Sequence, residues 1–126
     1  MHTKLIKKIF VVDDDKLSAC LLKDQLTSKF PHDVHLFDNG EDCLKHLAEQ
    51  PDIVILDFNL NSEFKDAANG LQILEAIKKT DFGIRVIMLS GQDDYGTALI
   101  SITKGAEEYV LKSKEAFEEI EALCNQ

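Results

Sequence analysis

The sequence predicts an α/β sandwich, a sheet of five parallel strands covered by helices on both faces. Three observations lead there. Strand-like and helix-like segments alternate five times along the chain. Four of the five strand-like segments are near-continuous runs of Val, Ile, Leu and Phe, as strands buried on both faces require. Each helix-like segment repeats apolar residues at i, i+3 and i+4. Strict alternation of this kind calls for right-handed crossovers, which place helices on both sides of one sheet.

The elements follow in order. The first strand, 8–12, contains Ile9-Phe10-Val11-Val12, and the helix expected over 15–30 carries Leu17, Leu21, Leu22 and Leu26. The second strand, 34–37, is the mixed run Val34-His35-Leu36-Phe37, which suits a place nearer the sheet edge. A helix over 40–49 carries Cys43, Leu44, Leu47 and Ala48, and the third strand, 53–56, is Ile53-Val54-Ile55-Leu56. A helix over 69–79 carries Leu71, Ile73, Leu74 and Ile77, and strand 85–89 follows it. The helix over 94–104 carries Ala98, Leu99 and Ile102. Strand 108–111 and a helix over 113–124, with Phe117, Ile120 and Leu123, complete the pattern. Pro31 and Pro51 each stand just before a strand, and no repeat or linker interrupts the chain.

Composition bounds the function. A chain of 126 residues suits a single domain, residues 1–126, and buries a sufficient core without disulfides. With 23 acidic residues against 14 Lys and Arg, the net charge is −9, which argues against direct nucleic-acid binding and against docking on an anionic membrane. The apolar runs are far shorter than the ~20 residues a membrane span needs, and the basic N-terminus lacks the apolar stretch of a signal peptide. Cys20, Cys43 and Cys124 are odd in number and form no CxxC pair, which points to a reduced, cytoplasmic setting. Cys20 and Cys43 are expected to be buried as small apolar residues on helices.

The informative residues stand just after the apolar runs. The first strand leads into Asp13-Asp14-Asp15, the third into Asp57, the fourth into Ser90-Gly91 and the fifth into Lys112-Ser113. In an open parallel sheet all carboxyl ends share one edge, and ligands bind there. With strands one, three and four central, that edge gathers Asp13 or Asp14, Asp57 and Ser90, and Lys112 arrives from the fifth. Two aspartates within about 5 Å repel by roughly 3 kcal/mol at an effective dielectric of 20. A divalent cation relieves this, and hard oxygen ligands favour Mg²⁺, Mn²⁺ or Ca²⁺ over zinc. A carboxylate in such a site can act as a nucleophile toward phosphorus, with a lysine and a serine hydroxyl meeting the phosphoryl oxygens. Each residue alone also has a plain reading: one of the three consecutive aspartates as a helix cap, Asp57 and Ser90-Gly91 as turn residues, Lys112 as a solvated charge. Their joint placement on four strand ends carries the functional reading.

With these residues in place, the chain resembles the receiver domains of two-component response regulators, over nearly all its length. The segments that carry the resemblance are IFVVDDD, PDIVILDFNL, GLQILEAIKK, VIMLSGQDD and GAEEYVLK, in that order and spacing. The resemblance implies the doubly wound (βα)5 flavodoxin-like fold, with strand order 2-1-3-4-5. It implies that Asp57 is the phosphoacceptor and that Asp14 and Asp57 ligate Mg²⁺ directly. Asp13 would act through water, and the Asn59 backbone carbonyl would complete the protein's share of the shell. Mn²⁺ or Ca²⁺ would substitute for binding. Ser90 fills the position that contacts the phosphoryl group, Lys112 the lysine position, and Tyr109 the aromatic position that turns inward when Ser90 engages. Asn59 and Gln92 fill positions that tune the lifetime of the phosphoryl group.

The implied partners are a histidine kinase or histidine phosphotransfer protein as donor, and a downstream protein on the face of helix 4, strand 5 and helix 5. Weak homodimers through that face are a family habit. The chain is then a regulatory phosphoacceptor that assists its own phosphorylation and dephosphorylation, and not an enzyme. Two departures stand out. Ser113 replaces the proline that usually follows the lysine, so a trans peptide is expected there and Ser113 is expected to cap the last helix. The loop Asn61 to Asn69 is longer than usual and lacks a Pro-Gly turn, which reads as a tolerated insertion. The alternative function is a phosphorylation-independent protein-interaction module on the same fold. An aspartyl phosphatase is disfavoured, because Asn59 stands where a second acid would serve as proton donor, and no P-loop GxxxxGK occurs.

Overall fold

A computed structural model describes residues 4–60, 69–91 and 94–126. Five strands, β1 (Lys8–Val12), β2 (Asp33–Phe37), β3 (Ile53–Asp57), β4 (Arg85–Ser90) and β5 (Glu108–Leu111), form one parallel sheet in the order β2-β1-β3-β4-β5. The helices are α1 (Lys16–Leu26), α2 (Gly40–Lys45), α3 (Gly70–Thr80), α4 (Tyr95–Thr103) and α5 (Ala116–Cys124). This is the doubly wound sandwich that the alternation of segments predicts, with all five strands where expected.

Two cores flank the sheet, and side-chain alternation along each strand divides them. Ile9, Val11, Ile53, Ile55, Ile87 and Leu89 face one way, against Ala19, Leu22 and Leu26 of α1 and Ala116 and Ile120 of α5. Phe10, Val12, Val54, Leu56, Val86 and Met88 face the other, against Cys43 of α2 and Ile73, Leu74 and Ile77 of α3. Each fully buried Val, Leu, Ile, Phe or Met among them stabilises the fold by about 1.5–3 kcal/mol. Because the central strands are covered on both faces, they read in the sequence as unbroken apolar runs.

The helices depart from expectation in detail. α1 ends at Leu26, four residues before Phe30, because the Thr27 and Ser28 hydroxyls take carbonyls of its last turn: Thr27 Oγ1 donates to Lys23 O and Ser28 Oγ to Gln25 O. Its buried residues are Ala19, Leu22 and Leu26, whereas Leu17 and Leu21 are 70% and 51% exposed. Cys20 lies on that outer face and is exposed, contrary to expectation, while Cys43 is buried as expected. The helix expected over 40–49 breaks at His46 and continues as one 3₁₀ turn, Leu47–Glu49, closed by Gln50 at a positive φ of 59°. In α4 only Ser101 is buried; Leu99 and Ile102 are about half exposed, so its apolar repeat does not face the core.

Ser113 does not cap α5. That helix starts at Ala116 after Glu115, with no side-chain cap, and the Ser113 carbonyl merely accepts from Ala116 N (3.2 Å). Every described peptide bond is trans, including the one after Lys112. Of the long loop before α3, residues 61–68 lie outside the described residues; Asn69 caps α3.

Candidate functional site

The carboxyl ends of β1, β3 and β5 build the site. Asp13 directly follows β1, and its N–H donates to Phe37 O on β2 (2.9 Å), which continues the ladder by one residue. Asp15, the last of the three aspartates, is the helix cap: its carboxylate accepts from Leu17 N and Ser18 N. Asp13 and Asp14 are thereby left facing Asp57, the last residue of β3. One oxygen from each of Asp13, Asp14 and Asp57 lies within 4.8 Å of the others. Asp13 and Asp57 are buried and Asp14 is exposed.

Lys112 and the Asn59 backbone hold Asp57. Its Oδ1 accepts from Lys112 Nζ at 3.1 Å and from the Asn59 N–H at 3.1 Å. Lys112 is placed from the backbone outward, since its N–H donates to Ser90 O at 2.7 Å and locks the end of β5 to the end of β4. Phe58 N–H donates to Leu89 O at 2.9 Å, so the turn after Asp57 is tied to β4 as well. Ser90 closes β4 fully buried, paired in register with Leu111. Tyr109 is half-buried on β5 opposite Met88, against the α2/α3 core.

Charge crowding leaves its mark on Asp13. Burial pushes its carboxyl up to about 6 and the Asp57 charge adds to the rise, while the Asp15 N–H (2.9 Å) and the Lys112 ammonium oppose it. A buried acid that resists ionisation beside two further carboxylates fits a site for a hard divalent cation, and all the donor atoms are oxygens. Beside Asp13 a groove of about 370 Å³ opens between α1 and β2, lined by Lys16, Ala19, Cys20, Leu36 and Asp42 among others.

The structure therefore brings together Asp13, Asp14, Asp57, Lys112 and the Asn59 backbone, with Ser90 and Tyr109 on the neighbouring strands. Gln92 lies outside the described residues. Sequence reasoning left open which of the three aspartates serves as cap. It also missed the Lys112 N–H to Ser90 O bond, which has no signature in the sequence because any residue can make it.

A family model described as the response regulator receiver domain matches residues 9–124. The chain belongs to that family, the receiver domains of two-component systems. A curated relative, the alkaline phosphatase synthesis transcriptional regulatory protein PhoP of Bacillus subtilis, is 28% identical over 107 residues. That match covers 84% of this chain but 42% of the relative, so the chain spans less than half of that protein's length. The BeF3-activated DrrB receiver domain is 32% identical, with a TM-score of 0.80 and 94% of each chain covered. NtrX from Brucella abortus is 27% identical with a TM-score of 0.80, covering 94% of this chain and 25% of that one.

Proposed function

We propose that the protein accepts a phosphoryl group on Asp57 from a histidine kinase or histidine phosphotransfer protein and thereby controls a downstream partner. The observation that carries this reading is the placement of Asp57, buried, with Lys112 Nζ on its Oδ1 and two further carboxylates beside it. Asp13, Asp14, Asp57 and the Asn59 backbone carbonyl are the groups that would hold Mg²⁺, which when bound neutralises charge on the phosphoryl oxygens.

A carboxylate oxygen of Asp57 attacks phosphorus as the bond from phosphorus to the donor's imidazole nitrogen breaks, and the electron pair leaves with the imidazole. The product is an acyl phosphate on Asp57. Lys112 stabilises negative charge at that oxygen cluster, and Asn59 N–H orients the carboxylate. Ser90 contacts the phosphoryl group and Tyr109 responds on the adjacent strand; Asn59 and Gln92 govern water access and so the lifetime of the product. The chain acts as a regulatory phosphoacceptor in the cytoplasm, without turnover of an external substrate beyond its own modification.

Two surfaces suit the two partners. Leu17 and Leu21 stand exposed on α1, the helix that follows Asp13-Asp14-Asp15, and offer a face to a donor approaching Asp57. Tyr95, Leu99, Ile100 and Ile102 stand exposed on α4, on the face that also includes β5 and α5 and that serves the downstream partner or a weak homodimer.

Intact-mass measurement after incubation with acetyl phosphate tests the reading. A phosphoryl adduct that requires Mg²⁺ and appears in the wild type but not in Asp57→Asn is the expected result. An adduct in Asp57→Asn would refute Asp57 as the acceptor. No adduct in the wild type, with acetyl phosphate or with a panel of phosphorylated histidine donors, would favour the phosphorylation-independent interaction module.

A further inference from the structure

The helix that follows the acceptor begins against the turn that carries it. A reciprocal capping box fixes the start of α3: the Asn69 side chain accepts from Gln72 N (3.0 Å) and the Gln72 side chain accepts from Asn69 N (2.9 Å). The first residue of the helix is Gly70, and it is buried. A Cβ built on Gly70 would stand 2.7 Å from Asp57 O, 2.8 Å from Phe58 Cα and 2.8 Å from Phe58 O, where ordinary contact starts at 3.4 Å. All three are backbone atoms, so no rotamer change relieves the overlap.

Two hydrogen bonds tether the turn. Phe58 N–H is bonded to Leu89 O on β4, and Asn59 N–H is bonded to Asp57 Oδ1. Pressure on the Asp57–Phe58 peptide therefore displaces the Asn59 backbone and the Asp57 carboxylate together. Backbone conformation does not demand glycine at this position, since among the described glycines only Gly105 has a positive φ. Helix formation disfavours it relative to alanine. What remains is the close approach itself.

We propose that Gly70 is a positioning residue of the metal and phosphoryl site. Lacking a side chain, it lets the N-terminus of α3 seat on the Asp57–Phe58 peptide and so sets where the Asn59 backbone lies beside Asp13, Asp14 and Asp57. The inference rests on the reading of those three carboxylates as a divalent-cation site.

Calorimetric titration of metal-free protein with Mg²⁺ tests it, on wild type, Gly70→Ala and Ile77→Val. Ile77 is a buried residue of α3 two helical turns further on, so its truncation loosens the helix without touching the turn. Gly70→Ala is expected to weaken Mg²⁺ binding by about tenfold or more, as loss of a group that orients metal ligands does. Ile77→Val is expected to leave the affinity unchanged. In chelator, the Asn59 amide resonance should move in Gly70→Ala and stay in place in Ile77→Val. Wild-type affinity in Gly70→Ala overturns the proposal, as does equal weakening in both variants. A wild type that takes up no Mg²⁺ removes the cation-site reading, and this inference with it. If Gly70→Ala does not melt cooperatively, the titration is repeated in trimethylamine N-oxide, which favours the compact state. A chain still unfolded there makes Gly70 a packing residue of the fold and overturns the proposal as well.

Discussion

Replacing Asp13 by Asn removes one negative charge from the crowded strand ends and changes little else. Asn keeps an Oδ1 to accept the Asp15 N–H, now at 2.9 Å. The three carboxylates lie within 4.8 Å of one another; at that separation and an effective dielectric of 20, two charges repel by about 3 kcal/mol. Water screens the exposed Asp14, and the Lys112 ammonium offsets part of the Asp57 charge. The net relief should be about 1–2 kcal/mol. In a domain of this size that raises the melting temperature by about 4–8 °C. The assay is differential scanning calorimetry in chelator, at a pH well above 6 so that Asp13 is ionised in the wild type. In excess Mg²⁺ the order should reverse or close up, since binding at a hundredfold over Kd stabilises the wild type by about 2.7 kcal/mol and the variant by much less. An Asp13→Asn protein that melts below the wild type in chelator, or gains as much from Mg²⁺, would refute the reasoning.

Two further outcomes follow from titration. Because the Asp13 carboxyl is pushed up to about 6, above its ordinary 3.8, the metal-free fold should lose stability as pH rises through that window. A cation must displace the same proton, so apparent Mg²⁺ affinity measured by calorimetry should fall as pH drops through about 6, and a flat profile would contradict this. At the opposite end of the sheet, hydrogen bonds from Arg85 (2.7 and 2.8 Å) hold Glu107 below its ordinary range. That contribution is present above the usual glutamate value and is lost as pH falls through the lowered one, so Glu107→Gln should flatten the acid limb of the stability curve. The pair is partly exposed, and the loss at neutral pH should be about 0.5–1 kcal/mol by urea denaturation; an unchanged acid limb would count against it.

How much of this was legible depends on what each signal measures. Unbroken apolar runs announced β1, β3 and β4 because both faces of those strands are covered, which leaves no polar residue to blur the pattern. Asp13, Asp14, Asp57 and Lys112 were legible as neighbours, with Ser90 on the same edge, because parallel strands end on a common edge. The helical repeats were less reliable. α1 carries two interleaved apolar series, and the sheet accepts the one with Ala19, leaving Leu17 and Leu21 outside. α4 turns Leu99, Ile100 and Ile102 toward solvent, and periodicity alone does not distinguish a core face from an exposed one. Ser113 has the right chemistry for a cap but stands two residues before the cap position, Glu115, since α5 begins at Ala116. The approach of Gly70 to Asp57 depends on how α3 returns to the sheet, and no local pattern encodes it.

The alternation that separates the two cores also sorts most of the residues at the strand ends. Asp57 follows Ile53 and Ile55 in the series facing α1 and α5; Asp13 follows Ile9 and Val11, and Lys112 follows Val110, in the same series. Ser90 follows Val86 and Met88 in the other series, and Tyr109 packs against that second core. Asp57, Asp13 and Lys112, proposed to carry the acceptor chemistry, thus follow one side of the sheet, and Ser90 and Tyr109, proposed to meet and answer the phosphoryl group, follow the other; the two sets come together at the rim. The number of residues in each strand is then a chemical parameter: inserting one residue into β3 ahead of Asp57 would turn the acid toward the α2/α3 side and an aliphatic chain toward the rim. On the proposed reading, a sheet of equal stability with one residue more in β3 would no longer present the acid to Lys112.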